Sequence, residues 1–125
     1  MNVVDSFRKI VSDAKETFLP ESGTEEIIPY GIALVRLAET HPEQRAVFQQ
    51  EFVAASHTAP PELIEFCMHA LRWDSLRIYF QQCHSDAVAR NDWRAEPFYR
   101  HLVDSFEDTW EDAKTFYVSY FGASI

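Results

Sequence analysis

Apolar positions recur along this chain at intervals of three and four residues, the spacing that places side chains on one face of an α-helix. The pattern is clearest from Phe98 to Phe121. Phe98, Leu102, Phe106, Trp110, Ala113, Phe116, Tyr117 and Tyr120 share one side, and Asp104, Glu107, Asp108, Glu111 and Asp112 share the other. At about 100° per residue each set covers an arc of roughly 140°. The spacing predicts a continuous helix opened by Pro97 and about 35 Å long, with its rings buried and its carboxylates in water.

The same reading divides the rest of the chain. Helix one is expected from about Asn2 to Leu19, with Val3, Phe7, Ile10, Ala14 and Phe18 inward and a stop at Pro20-Glu21-Ser22-Gly23. Helix two centres on Ile32 to Ala38, with Pro29 in its first turn. Thr40-His41-Pro42-Glu43 reads as a restart, in which Thr40 caps and Glu43 completes a capping box. Helix three then runs to about Ala55 and buries Phe48 and Phe52. Pro61 opens helix four. A corner at Arg72-Trp73 follows, with Asp74 as the N-cap of helix five, and Asn91-Asp92 ends that helix. The fold class expected is all-α: residues 1–125 form a single domain of five to six helices, a bundle or a short α-solenoid, with a long C-terminal helix. Short connectors favour antiparallel neighbours.

Composition supports a packed core. Of 125 residues, 46% are hydrophobic and 14% aromatic, too apolar for a disordered chain. Only three glycines are present, which disfavours a turn-rich β architecture. The start, with charges among its first ten residues, does not read as a signal peptide, and no apolar run approaches a membrane span. Cys67 and Cys83 form no Cys-x-x-Cys pair and sit in apolar helical stretches, where they read as small buried hydrophobes with reduced thiols. A cytoplasmic location without membrane association is the expectation.

Charge changes the picture most. Twenty acids oppose eleven bases, for a net charge of -9, and residues 101–125 hold five acids against one base. Such a surface repels nucleic acid and attracts basic proteins. Asp104, Glu107, Asp108 and Glu111 are like charges at i, i+3 and i+4, each pair costing a few tenths of a kcal/mol in a helix. A binding role would account for the tolerated repulsion. Arg72, Arg77, Arg90, Arg94 and Arg100 lie near Trp73, Trp93 and Tyr99, but interleaved acids bring that region near neutrality. The arginines are expected to pair with acids of neighbouring helices and to stack on the tryptophans.

Candidate chemistry is sparse. The five histidines make no His-Glu-x-x-His and no Glu-x-x-His motif, so no metal and no cofactor is expected. Glu65 and His69 share a face at i, i+4 without further ligands. There is no Gly-x-Ser-x-Gly elbow, phosphate loop or dinucleotide fingerprint, and no enzyme is expected. Small size, acidity and the lack of catalytic signatures point to an interaction protein. The reading is an inhibitor or immunity-type protein that neutralises a basic protein partner through Asp104, Glu107, Asp108, Glu111 and Asp112. The alternative is a helical bundle binding a small apolar ligand or cofactor, with polar contacts from His69, Cys83 or His101.

Overall fold

The computed structural model describes residues 2–18 and 23–121, and every regular element among them is helical. The order is α1 (Val3–Thr17), α2 (Ile28–Glu39), α3 (Arg45–Ala55), α4 (Pro61–Leu71), α5 (Asp74–Ala89), α6 (Ala95–Asp104), α7 (Glu111–Thr115) and α8 (Val118–Phe121). Single 3₁₀ turns at Thr24–Ile27 and Pro42–Gln44 lead into α2 and α3. The stop expected around Pro20 and Ser22 lies outside the described residues.

Local chemistry sets most boundaries. The Asn2 side chain accepts from the Asp5 N–H at 2.9 Å and caps α1. Pro29 falls in the first turn of α2 and Pro61 in that of α4, where a missing N–H costs nothing. The Thr40 assignment is reversed. Its hydroxyl donates to the carbonyls of Arg36 (2.8 Å) and Leu37 (3.1 Å), so it closes α2 and does not cap α3. Asp74 likewise lies inside the first turn of α5 and pairs with Arg77, while Trp73 occupies the cap position. The next junction is capped by Asp92, whose carboxylate accepts from the N–H groups of Arg94 (3.3 Å) and Ala95 (3.1 Å). Accordingly α6 starts two residues before Pro97.

Neighbouring elements make a circuit. α1 packs on α2 and α3, α2 on α4, α4 on α6, α6 on α5, and α5 on α3. α4 is the most enclosed. Leu63, Ile64, Phe66, Cys67, Met68 and His69 are all buried, as expected for a helix surrounded by others. The α2–α4 crossing depends on Gly31: a Cβ there would stand 2.2 Å from the Phe66 ring. Phe7 meets Phe52 edge-on at 4.9 Å, joining α1 to α3. Each such buried ring contributes about 2–3 kcal/mol.

The C-terminal stretch departs from the expected rod. It is broken into α6, α7 and α8, with turns over 105–110 and 116–117. Leu102, Phe106, Trp110, Ala113 and Tyr117 are buried as the spacing requires, but Phe116 and Tyr120 remain 44% and 37% exposed. Continuing the helix would hold Asp104, Glu107, Asp108 and Glu111 one turn apart from one another. The break takes 105–110 out of that helical register, and it places Glu111 and Asp112 in the first turn of α7, the favourable end for carboxylates. The freed backbone is satisfied locally. The N–H groups of Phe106, Glu107 and Trp110 donate three residues back, at 3.0–3.1 Å. Phe66 of α4 then gathers Tyr117, Tyr120 and Phe121 at centroid distances of 5.0–5.2 Å.

Candidate binding site: an acidic pocket beside the α6–α7 turn

The break converts a convex acidic stripe into a concave site. Glu65 of α4, His101 and Asp104 of α6, Glu107, Thr109 and Trp110 of the turn, and Glu111 and Asp112 of α7 line one pocket of about 400 Å³. That volume lies in the range of ligand-binding clefts. Four of the five carboxylates singled out from the sequence meet there, and Glu65 joins them. Asp108 does not. It turns to the other side and pairs with the Arg72 guanidinium.

Electrostatics distinguish the walls. Burial pushes the Glu65 carboxyl up to about 8, and the charges of Asp112, Glu62 and Asp104 add to the effect. Glu65 is therefore mostly protonated at neutral pH and supplies a neutral hydrogen-bonding floor. Asp112 is also raised, first by burial and then by the Glu111 charge. Behind them the Tyr117 hydroxyl is fully buried with no hydrogen-bond partner among the described residues, and burial, with the charges of Asp112, Glu62 and Glu65, pushes its pKa well above the ordinary tyrosine value. A cation entering this pocket would meet several carboxylates and would favour ionisation of Glu65.

The turn that carries the pocket is tied to the end of α4. The His69 ring is buried, with Nδ1 2.8 Å from the Ser105 carbonyl oxygen. Its Nε2 lies 3.0 Å from an Arg72 guanidinium nitrogen, and the Arg72 Nε donates to the His69 carbonyl at 2.9 Å. Arg72 itself adopts a left-handed conformation, φ 49°, which turns the chain sharply after α4. Trp110 and Phe121 cover the imidazole at centroid distances of 5.0 and 4.7 Å. The sequence pattern offered His69 only as a face-mate of Glu65 and as a polar contact for a bound ligand. The signal for burial was present in the apolar run around it, Phe66, Cys67, Met68, Ala70 and Leu71.

The remaining sequence candidates have separate surroundings. Cys67 is fully buried, and burial raises its thiol far above the ordinary value. Cys83 is partly exposed beside Tyr79 and Tyr99. His101 opens on the acidic pocket. Among the described residues no group of three or more His, Cys, Asp or Glu could hold a metal ion, and no helix is long and apolar enough to cross a membrane. Of the five arginines, Arg72 reaches an acid of another segment, Arg77 and Arg100 pair within their own helices, Arg90 pairs with Asp92 two residues on, and Arg94 makes no ion pair among the described residues. The stacking on Trp73 comes from Arg45, 4.5 Å above the ring, and Trp93 is 87% exposed. Comparison of the chain with protein-family models, with curated proteins and with solved structures finds no match.

Proposed function

We propose that this protein is a small acidic interaction domain that captures a basic side chain of a protein partner in the pocket around Trp110, and that it acts as an inhibitor or immunity-type protein. The observation that carries the reading is the convergence of Asp104, Glu107, Glu111 and Asp112 with Glu65 on one concavity. A concave set of carboxylates gives a guanidinium or ammonium group several charge-assisted hydrogen bonds at once. The surrounding net charge of -9 steers a basic partner toward it. The packing circuit is read as a closed single-domain bundle that holds the walls of the pocket in place. Asp108 belongs to the support of the site and not to its contact surface.

The test is binding of a fluorescein-labelled nona-arginine peptide, read by anisotropy at two salt concentrations. Glu107→Lys with Glu111→Lys should weaken binding by about tenfold or more. Glu16→Lys with Glu43→Lys changes net charge equally at two exposed positions outside the pocket. An equal loss in both double variants would reduce the binding to net charge alone and end the proposal.

A further inference from the structure

Away from the acidic pocket, a groove of about 400 Å³ runs between α1 and α3. A change in side-chain size produces it. Toward the interior Phe7 packs on Phe48 and Phe52, at centroid distances of 6.2 and 4.9 Å, and sets the spacing of the two helices. Toward solvent the facing residues are Ser12, Ala54 and Ala55, too short to meet across helices that aromatic rings hold apart. Phe7, Val11 and Ala55, all buried, supply an apolar floor.

The rim of this groove carries two cations and one acid, in a chain of net charge -9. At about 100° per residue Arg8, Val11, Ser12 and Lys15 share one stripe of α1, while Lys9, Asp13 and Glu16 turn away from it. The acid, Glu51, is already satisfied. Nε and Nη2 of Arg8 donate to its two carboxylate oxygens at 2.8 and 3.1 Å, which closes one end of the groove. Lys15 stands at the other end, about 10 Å further along α1. It is exposed and makes no ion pair among the described residues. α1 and α3 run in the same direction, so Thr58 lies across from Lys15 as Glu51 lies across from Arg8.

We propose that this groove binds a medium-length fatty acid, with the acyl chain laid over Val11, Ala54 and Ala55 and the carboxylate at the Lys15 end. The two ends differ in what they can hold. At Arg8 and Glu51 the charges balance each other, and the methylenes of the Arg8 stem close the groove. At Lys15 the ammonium offers N–H donors, and the Ser12 and Thr58 hydroxyls offer O–H donors, all suited to a carboxylate. The span of about 10 Å between the ends matches a medium acyl chain. The negative field of the whole chain opposes multiply charged anions. It selects a ligand with one charge and a large apolar body, whose burial supplies most of the affinity. This groove shares no residue with the acidic pocket and does not depend on the function proposed for that pocket.

The test is an amide NMR titration of the full chain at pH 7.5 with octanoate, held below its micelle concentration, and separately with octanol. Octanoate should saturate, with shifts confined to 7–15 and 51–58, and should bind about three- to fivefold tighter than octanol. Lys15→Met should erase that preference and leave octanol binding in place. Lys9→Met removes the same charge from the outer side of α1 and should keep the preference. Ala54→Phe, at an exposed position, should fill the groove and abolish saturation by both compounds. No saturable binding, equal binding of the two compounds, a preference that survives Lys15→Met, or shifts spread over other helices would overturn the proposal. Should Ala54→Phe fail to fold, the Lys15 and Lys9 variants still decide.

Discussion

Replacing Glu65 with Gln isolates the electrostatic cost of the pocket. The native carboxyl is raised from 4.5 to about 8, chiefly by burial and next by the charge of Asp112. Between those values the folded protein holds a proton that the unfolded chain has lost. Stability from this group is thus full below about 4.5 and falls as pH rises through about 8. A shift of this size, converted at about 1.4 kcal/mol per unit, sets a ceiling near 5 kcal/mol. Solvent in the pocket and local relaxation reduce the expected penalty to on the order of 2 kcal/mol at pH 9. Gln keeps the shape and hydrogen-bonding capacity of the protonated acid and cannot ionise. The stability advantage of Glu65→Gln over wild type should therefore be about 2 kcal/mol larger at pH 9 than at pH 5. For a chain of this length that corresponds to roughly 8 °C in Tm. Urea denaturation at pH 5, 7 and 9 measures it. An advantage that stays constant within about 0.5 kcal/mol across that range, inside the spread of ordinary surface changes, would refute the half-buried, carboxylate-surrounded placement of Glu65.

Gly31→Ala should cost about 1–3 kcal/mol or more in thermal denaturation, since the new methyl meets the enclosed Phe66 ring. Phe66→Ala should cost about 3–5 kcal/mol and loosen the C-terminal aromatic cluster, read as loss of near-UV circular dichroism. In the native protein a thiol reagent should modify Cys83 alone, with Cys67 reacting only on unfolding, and equal rates would contradict their different burial. Binding of the basic peptide near pH 7.5 should release protons from Glu65, seen as a calorimetric enthalpy that varies with the ionisation enthalpy of the buffer.

The legible part of this chain was its apolar periodicity. Phe7, Phe48, Phe52, Leu102, Trp110 and Tyr117 are buried as their spacing requires, and the corner at Arg72 falls where the pattern changes register. Side-chain burial was readable because any helical path, broken or not, must enclose those rings. Continuity of the last helix was not. Its like-charge pairs were visible, but the ties that reward breaking it come from residues 36 positions away, His69 to Ser105 and Arg72 to Asp108. Caps were misassigned for a related reason. Thr40 and Asp74 each have two competing local partners, and the backbone on either side decides between them. The acidic residues were recognisable as a set, while their concavity and the inclusion of Glu65 depended on the break.

The most direct measurement is a backbone and indole NMR titration of the protein with the nona-arginine peptide at pH 7. The account requires the largest shifts at Glu65, Asp104, Glu107, the Trp110 indole, Glu111 and Asp112, with Asp108 and the α1–α3 amides little affected. Shifts scattered over all the acidic surface, or centred on a different face, would contradict it.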